Sequence, residues 1–474
     1  MKKIKYFMRG NYLLAYNVAT LQLLKFRSDI KRILPVLLPE DYTEKQKEDF
    51  LKKLKEVRDK GFSLYLEQLL KTNDCQLAKI DDAKETMTLS FAPVHQCNLN
   101  CKYCFAHAGE NYKKSEKTIS HLTMKKVFDF VLQKYAPECK NLQINLVSGG
   151  EPFLNLNVCE EIENIVSAYP VNKRLFIATN GTLLDKNIKR QLRLMTPQLG
   201  ISLDGNKQMH DKNRRYKNGK GTYEDVVRHL EEIKSDTSLA KKTREFILMT
   251  VLTADNLDIV SILKHHKKLN ASSVQIKLVR SNDELSLNKG NIHLFKEAYQ
   301  KLSDFLFCEY QNNQLEYFYM LVNSTDYFGK FIKNLMLTLP NHYRCGAGRD
   351  RLSFSADGNI YPCDNFVGKE EFLLGNLETG YDWKQAERFY GLSVTTMEKC
   401  KECWIRYLCA GDCCYNSYIH TKDIATPDEV MCEFFEFLAN LAITLVADMG
   451  EVNKERYQKV KKIMFIRENN NFIH

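Results

Sequence analysis

The chain has 474 residues, enough for two to four domains with cores of their own, and a composition of 44 % hydrophobic and 27 % charged residues that is ordinary for a globular protein. Its net charge of +10 comes from dispersed lysines, which favours an ordinary solvated surface. The alternative is a basic surface that attracts an acidic peptide or a nucleic acid. The start, MKKIKYFMRGNY, lacks the apolar core of a signal peptide, and the apolar stretch 434–445 is too short for a membrane span. These features predict a cytoplasmic protein without a membrane partner.

The first residues predict a small module of their own. Short strands are predicted at 12–16 and 21–26, and helices at 28–34 and 43–60, with Thr43 as the N-cap of the second helix. A hairpin followed by two helices is typical of a winged-helix-like α+β module.

From residue 86 the pattern changes to alternating strands and helices. The predicted strands are 88–93, 142–148, 174–179, 198–203, 246–253 and 273–279. The predicted helices between them are 124–135, 183–195, 223–233 and 257–269, and two more follow at 291–312 and 327–337. The fold class expected is α/β, a partial (β/α)6 barrel with helices outside and the active site at the carboxyl ends of the strands.

Fifteen cysteines mark the chain, and in a reducing cytoplasm they favour metal ligation over disulfides. After the first barrel strand, Cys97, Cys101 and Cys104 follow one another at spacings of four and three, with Tyr103 before the last. Three thiolates can hold a cubane iron–sulfur cluster and leave its fourth iron open. An open metal position is a substrate site, whereas a three-cysteine zinc site is the structural alternative.

This loop resembles the signature of the radical S-adenosylmethionine (SAM) superfamily. The resemblance implies that the open iron binds SAM, that SAM is cleaved reductively to a 5′-deoxyadenosyl radical, and that the three cysteines are catalytic. Four further fragments at strand ends are similar to SAM-binding elements of that superfamily: SGGEP at 148–152, TNG at 179–181, SLDG at 202–205 and HDKNR at 210–214. In this resemblance, Glu151 accepts the ammonium of SAM, Arg214 pairs with its carboxylate, and the TNG and SLDG groups lie near the ribose. The implied cofactor-binding set is Tyr103, Gly149, Gly150, Glu151, Pro152, Thr179, Asn180, Ser202, Asp204 and Arg214.

A second cysteine pattern runs from 345 to 432 and resembles the SPASM domain, an auxiliary-cluster module of radical SAM maturases. The resemblance implies one auxiliary [4Fe–4S] cluster on Cys400, Cys403, Cys409 and Cys432, and another on Cys345, Cys363 and Cys413. With the cluster of the first loop, the total is three. The second auxiliary cluster either keeps a position open for a substrate thiolate or is closed by Cys414, Cys308 or a non-cysteine ligand. The remaining cysteines, at 75, 139 and 159, are expected to pack in the core.

The N-terminal module is similar to the recognition elements of enzymes that modify ribosomally made peptides. Such elements bind the leader part of a precursor peptide as an added strand. A DNA-binding wing is the alternative, but the lysines of 43–60 are partly balanced by acidic residues, and a nucleic-acid partner is not expected. The expected domains are 1–80, the recognition element; 86–285, the radical SAM core; 286–344, a helical linker; 345–435, the SPASM domain; and 436–474, a helical tail.

Together these resemblances imply a peptide maturase that installs thioether crosslinks of the sactipeptide or ranthipeptide type. The radical takes a hydrogen atom from a precursor carbon, which then bonds to a cysteine sulfur held at the auxiliary cluster, and the excess electron leaves through that cluster. A flavodoxin or ferredoxin is the expected reductant. A carbon–carbon cyclase, an epimerase and a sulfatase-type maturase share most of these motifs and stay as alternatives. A zinc-containing DNA-binding regulator is a remote alternative.

Overall fold

The computed structural model of the chain describes residues 3–9, 12–27, 34–55, 70, 84–106, 118–147, 149–195, 197–242, 246–271, 273–279, 281–322 and 326–470. The strands in these ranges are β1 (Ile4–Arg9), β2 (Tyr12–Asn17), β3 (Leu23–Arg27), β4 (Thr86–Phe91), β5 (Asn141–Leu146), β6 (Asn172–Thr179), β7 (Gln198–Ser202), β8 (Phe246–Leu252), β9 (Ser273–Leu278), β10 (Arg351–Phe354), β11 (Asn359–Tyr361), β12 (Gly375–Asn376) and β13 (Gly380–Tyr381).

The α-helices of the same ranges alternate with β4–β9 and then dominate the second half of the chain. They span Leu34–Leu37, Glu44–Lys55, His121–Asp129, Asn157–Val166, Lys186–Met195, Lys207–Asn213, Tyr223–Ser235, Thr237–Lys242, Ile259–Lys268, Ile292–Gln311, Glu316–Val322, Tyr327–Leu337, Trp383–Tyr390, Glu398–Lys401, Arg406–Cys409, Cys414–Thr421, Glu429–Val452 and Lys454–Asn470. Short 3₁₀ turns occupy Pro152–Asn155, Asp364–Phe366 and Glu370–Phe372, and a π-helix occupies Phe130–Tyr135.

The central sheet confirms the expected partial barrel. Strands β4 to β9 lie in chain order and pair in parallel with their successors. Parallel neighbours need a crossover between them, and helices supply it after each strand. The carboxyl ends of all six strands therefore meet at one edge, where the cysteine loop and the four polar fragments begin.

The two faces of this sheet differ in polarity. Alternate residues of β4–β9 point to opposite faces, and one set, rich in Leu and Ile, is buried against the helices. Most of the other set is half-buried or exposed, although Ser90, Gly200 and Ile247 are buried. The half-buried or exposed residues include Thr88, Gln143, Asn145, Phe176, Ser202, Met249, Val251, Gln275 and Lys277. The inner face of the barrel is thus accessible and hydrogen-bonding, which sequence analysis did not predict.

The sheet extends beyond the six predicted strands. β10 pairs in parallel with β4, Ser353 lying opposite Ser90, and β11, β12 and β13 continue the sheet antiparallel. These strands have two to four residues and lie in a loop-rich segment, so no alternation marked them in the sequence. Through them the cysteine-dense segment is hydrogen-bonded directly to the barrel.

The N-terminal module contains a strand more than expected. β1 pairs with β2, and β2 with β3, in an antiparallel sheet ordered β1–β2–β3. β1 was missed because its charged residues at 5 and 9 obscure the apolar alternation. The predicted cap is confirmed: Thr43 Oγ1 accepts from the Gln46 amide, whose side chain accepts from the Thr43 amide in return.

Smaller differences concern helix limits. The predicted helix 124–135 is an α-helix to Asp129 followed by a π-helix, and the predicted helix 183–195 begins at Lys186. The helix Lys207–Asn213 was not predicted. Residues 28–33 and 56–60 of the two predicted N-terminal helices lie outside the described residues.

The apolar stretch 434–445 lies in a core helix. It belongs to the helix Glu429–Val452, which packs between Ile292–Gln311 and Tyr327–Leu337 and buries Phe434, Leu438 and neighbouring side chains. By length and composition alone this helix resembles a membrane span, yet most of its apolar window is buried inside the protein. The helix runs unbroken through residue 435, where a domain boundary was expected.

Candidate active site

The loop of residues 97–104 is held from two sides at the carboxyl edge of the sheet. On one side, the Glu151 amide donates to the Gln96 carbonyl at 2.8 Å. On the other, the Lys102 amide donates to the Asn213 carbonyl at 3.0 Å. The SGGEP and HDKNR fragments, distant in sequence, therefore clamp the cysteine loop through backbone bonds.

The three thiols of this loop lie close to one another. Cys97 and Cys101 both interact electrostatically with Cys104, and all three side chains are part-exposed. Burial raises the pKa of the Cys101 thiol to about 12, although the Arg214 guanidinium beside it acts in the opposite direction. A bound metal would be needed to make this thiol a thiolate at neutral pH.

Two hydrogen-bond donors are aimed at Cys97. The Leu99 amide lies 3.5 Å from its sulfur, and Asn180 Nδ2 lies 3.7 Å from it. Donors to ligating sulfur are the usual surroundings of a cluster thiolate. The residues present therefore fit an iron–sulfur cluster held by Cys97, Cys101 and Cys104.

Glycine is required at position 150 by close backbone contact. A Cβ there would lie 2.2 Å from the Gln96 carbonyl oxygen and 2.3 Å from that of Val94. Gly149 before it has a φ of 85°, in the left-handed region that glycine favours. The SGGEP fragment thus packs flat against the backbone of the cysteine loop.

We expect Gly150→Ala to lower the free energy of unfolding by about 1–3 kcal/mol and to displace the cysteine loop, because backbone atoms cannot yield to the methyl group. The measurements are denaturant unfolding and the iron bound per chain. The control is Gly450→Ala, where a Cβ meets nothing within 4 Å in the helix Glu429–Val452; it should be neutral or stabilising by up to about 1 kcal/mol. Unfolding curves that coincide for the two variants would contradict the close contact.

Glu151 is buried and is bonded by the chain itself. Its carboxylate accepts from the Thr179 hydroxyl at 2.6 Å, the Asn180 amide at 2.7 Å and the Phe153 amide at 3.0 Å. Burial raises the pKa of Glu151, and these donors act against that rise. Glu151, expected at the SAM ammonium, and Thr179, expected near the ribose, thus join the SGGEP and TNG turns to each other. Pro152 begins the 3₁₀ turn that Glu151 caps.

A buried charged group joins Tyr103 to the SLDG and HDKNR fragments. Arg214 Nε donates to Asp204 Oδ2 at 3.0 Å, and the Tyr103 hydroxyl donates to the same oxygen. Although burial opposes it, the Asp204 carboxylate raises the pKa of Arg214, so the guanidinium stays charged. Among the described residues, hydrogen bonds to Arg214 side-chain nitrogens involve Nε alone, which leaves its terminal nitrogens for a ligand carboxylate.

His210 supports this group from behind. The Asp204 amide donates to His210 Nδ1 at 3.2 Å, which leaves Nε2–H to donate to the Thr222 hydroxyl at 2.9 Å. That hydroxyl in turn donates to the Arg214 carbonyl at 3.2 Å. Burial lowers the pKa of His210 to about 4, so the ring is neutral at physiological pH, as this chain of bonds requires. Sequence analysis assigned no role to His210 or Thr222; a histidine four residues before Arg214 was the available signal.

The cysteines of the second pattern fall into two groups in space. Cys345 and Cys413 interact electrostatically, and Cys363 interacts with both. Cys414, at the start of the helix Cys414–Thr421, interacts with Cys345 and Cys413 as well. Cys308 is exposed, and its sulfur accepts from Asn312 Nδ2 at 3.6 Å. Of the two cysteines considered for closing this group, the structure places Cys414 with it.

The other group is formed by Cys400, Cys403, Cys409 and Cys432, contributed by three short segments and the helix Glu429–Val452. Cys432 interacts with Cys400 and Cys403, and Cys409 with the same two. Burial raises the pKa of Cys400 to about 11 and that of Cys432 to about 12. The four thiols that sequence analysis assigned to one cluster are therefore neighbours.

The thiols of these groups are spread out rather than gathered around one point. In the part of the chain that the structure describes, no three His, Cys, Asp or Glu side chains converge closely enough to hold one metal ion. In an iron–sulfur cluster each thiolate binds a different iron, so the thiols stand further apart. Ser202, the last predicted site residue, lies half-buried at the end of β7 on the inner face.

A partial parallel barrel with a three-cysteine loop at its carboxyl edge defines a class of protein, the radical SAM fold. Residues 92–237 match the Radical SAM superfamily model. The chain is 28 % identical over 368 residues to a cysteine-type anaerobic sulfatase-maturating enzyme of Clostridium perfringens, covering 72 % of this chain and 93 % of the relative. It is 23 % identical over 414 residues to the radical SAM cyclopropyl synthase TigE of Paramaledivibacter caminithermalis, covering 81 % and 80 %.

Among solved structures, native anSMEcpe with bound AdoMet and Cp18Cys peptide superposes with a TM-score of 0.60 at 22 % identity, covering 77 % of this chain and 99 % of that one. The chain therefore carries a radical SAM domain and is a radical SAM superfamily enzyme, homologous to the anaerobic sulfatase-maturating enzymes. The sequence-based prediction of the superfamily and of its fold is thereby confirmed.

Proposed function

We propose that this enzyme binds SAM and joins a cysteine sulfur of a ribosomally made peptide to a carbon of the same peptide. The single observation that carries the choice of peptide class is the N-terminal sheet, which is docked onto the segment bearing the auxiliary cysteines. The relative from Clostridium perfringens is matched over 93 % of its length while 28 % of this chain (100 − 72) stays outside that match. We propose that the N-terminal sheet is part of a leader-binding module.

A cluster held by Cys97, Cys101 and Cys104 would supply the electron that cleaves SAM to methionine and the 5′-deoxyadenosyl radical. The residues of this chain bind SAM and the peptide and orient them. Arg214, held charged by Asp204, presents its terminal nitrogens for the carboxylate of SAM. The polar inner face beneath, with Gln143 Nε2 donating to Asn145 Oδ1 at 3.1 Å, offers hydrogen bonds to a peptide laid across the barrel.

Two auxiliary [4Fe–4S] clusters complete the proposal, one on each group of neighbouring thiols. Cys400, Cys403, Cys409 and Cys432 supply four ligands. Cys345, Cys363 and Cys413 supply three, and Cys414 stands where it completes that set. A flavodoxin or ferredoxin supplies the electron for SAM cleavage, and the location is cytoplasmic.

The leader peptide adds as a fourth strand to the edge of the N-terminal sheet. β3 pairs with β2, and no described strand covers its outer edge. An uncovered edge presents backbone donors and acceptors to an incoming extended segment. Lys25 in β3 already bonds Glu451 of the helix Glu429–Val452, so the edge is fixed relative to the auxiliary segment.

The overall change balances without a further oxidant. SAM takes up one electron and yields methionine and 5′-deoxyadenosine, the latter carrying one hydrogen atom from the peptide carbon. The thiol proton leaves to solvent, the carbon–sulfur bond forms, and one electron is returned. The peptide loses two hydrogens and keeps its sulfur.

A second candidate is formylglycine formation, because the relative from Clostridium perfringens is a cysteine-type sulfatase-maturating enzyme and anSMEcpe has been solved with the Cp18Cys peptide. In that reaction the cysteine sulfur is lost. The relative from Paramaledivibacter caminithermalis is a cyclopropyl synthase, which points to a third candidate reaction, the formation of a carbon–carbon bond.

High-resolution mass spectrometry after anoxic turnover separates these endings. The enzyme, SAM and a reductant are incubated with the short cysteine-bearing peptide encoded nearest the gene, and in parallel with Cp18Cys. We expect the first peptide to lose two hydrogens and one alkylatable thiol per event, and to react more slowly when its leader is removed. Loss of sulfur from Cp18Cys alone would establish the sulfatase-type reaction. Loss of two hydrogens with every thiol free would indicate a carbon–carbon bond, and unchanged mass with deuterium uptake from heavy water would indicate an epimerase.

A further inference from the structure

Strand β2 of the N-terminal module has both of its faces buried. Leu13 and Ala15 point into the module's own core. Leu14 and Tyr16, on the opposite face, belong to the large core shared with the helix Glu429–Val452. The module is therefore packed into the catalytic body of the protein rather than tethered to it.

The residue that fills this junction is Trp404, directly after Cys403. Its ring lies 5.7 Å from that of Phe7 and 6.0 Å from that of Tyr16, in edge-to-face arrangements. Around them, Arg9 donates to the Thr444 hydroxyl, and Tyr12 to Asp448 at 3.1 Å. Both acceptors lie on the helix that also carries Cys432, so the module touches two elements that supply thiols of the Cys400 group.

Tyr16 lies at this junction, and its hydroxyl is buried. Its side chain is 0 % exposed, and among the described residues its oxygen has no hydrogen-bond partner. Burial raises the pKa of the Tyr16 hydroxyl, Arg406 lowers it and Cys403 raises it, so both of these side chains lie near the hydroxyl. Leaving such a group buried without a bond costs about 1–3 kcal/mol, so we expect the hydroxyl to have a partner in the functional state of the protein.

We propose that the Tyr16 hydroxyl donates a hydrogen bond to the sulfur of Cys403 when the auxiliary cluster is held, which makes Tyr16 a positioning residue that couples the peptide-recognition module to that cluster. The inference rests on the proposed function, because it needs the cluster on Cys400, Cys403, Cys409 and Cys432. It explains why a buried tyrosine, rather than phenylalanine, faces Cys403 from strand β2.

The bond has a redox consequence. A donor to a ligating sulfur withdraws negative charge from the cluster and stabilises its reduced, more negative form. Tyr16 therefore raises the reduction potential of this cluster. β2 also pairs with β3, whose outer edge is the proposed leader site, so one sheet joins that edge to the residue beside Cys403.

Redox titration followed by electron paramagnetic resonance tests this. The full-length chain carries Cys97→Ala, Cys101→Ala and Cys104→Ala, so that only auxiliary clusters give signals. Tyr16→Phe is compared with Tyr6→Phe, whose hydroxyl donates to the Leu38 carbonyl at 2.9 Å within the module. We expect Tyr16→Phe to lower one auxiliary midpoint potential and leave the other unchanged, and Tyr6→Phe to move neither.

Replacing Tyr16 by 3-fluorotyrosine, a more acidic donor, should move the same midpoint upward, which decides the question if Tyr16→Phe fails to retain the cluster. Unchanged midpoints, or equal shifts of both clusters, would overturn the coupling and leave Tyr16 as a packing residue. If the parent protein bound no iron that Cys403→Ala removes, the auxiliary cluster itself would be wrong, and the proposed function would fail with it.

Discussion

Replacing Cys101 by alanine should stop reductive cleavage of SAM, lowering 5′-deoxyadenosine formation by more than about 100-fold. Cys101 is the middle thiol of the loop and lies beside Arg214. Two remaining thiolates cannot hold a cubane with one open iron, so the site that binds and cleaves SAM is lost. The measurements are 5′-deoxyadenosine by liquid chromatography and iron per chain, which should fall by about four atoms while the auxiliary clusters stay.

Cys308→Ala is the matched control, because Cys308 is exposed on the helix Ile292–Gln311 and belongs to neither thiol group. It should leave iron content and SAM cleavage unchanged. Full SAM cleavage by the Cys101→Ala protein would disprove the assignment of the three-cysteine loop, whereas equal losses in both variants would indicate general oxidation damage.

The second large effect is expected from Asp204→Asn. Asp204 is 0 % exposed and accepts from Arg214, from Tyr103 and, through Oδ1, from the Val251 amide at 3.0 Å. Neutralising it leaves the Arg214 charge buried and unpaired, which costs about 3–5 kcal/mol of folding free energy. We also expect weaker SAM binding, because Arg214 loses the partner that orients its terminal nitrogens.

Denaturant unfolding and SAM titration measure these effects. The control is Glu224→Gln, which removes an ion pair with Lys207 that is more than half exposed on both sides. Exposed pairs contribute about 0–1 kcal/mol, so this variant should unfold close to the parent protein. Asp204→Asn unfolding no more readily than Glu224→Gln would mean that the Arg214 charge is compensated by another group.

Much of the candidate site could be predicted from the sequence. The ligands of a cluster loop are close together in the chain, so the spacing of Cys97, Cys101 and Cys104 predicted a cluster site without any knowledge of the fold. The strand periodicity was equally local, and it placed the SGGEP, TNG and HDKNR fragments at one edge of a parallel sheet. The division of the later cysteines into two groups came from resemblance, and the neighbouring thiols in space agree with it.

Other features depend on contacts between distant residues. The sequence pointed to Glu151 and Arg214 as SAM contacts, but it did not show that Glu151 bonds the TNG turn or that Asp204 holds Arg214 charged. Short strands such as β10 were missed, because four residues in a loop-rich segment show no alternation. Their pairing with β4 is a long-range event that only the folded chain reveals.

By itself, then, the sequence determined the superfamily, the partial barrel and the thiols that we propose as cluster ligands, because these rest on local spacing and periodicity. The tertiary structure alone decided that Cys414 lies near Cys345 and Cys413, and that Tyr16 lies near Cys403, nearly 400 residues later in the chain. The physical reason is that burial and hydrogen-bond satisfaction are properties of the packed core, where residues far apart in sequence share one environment.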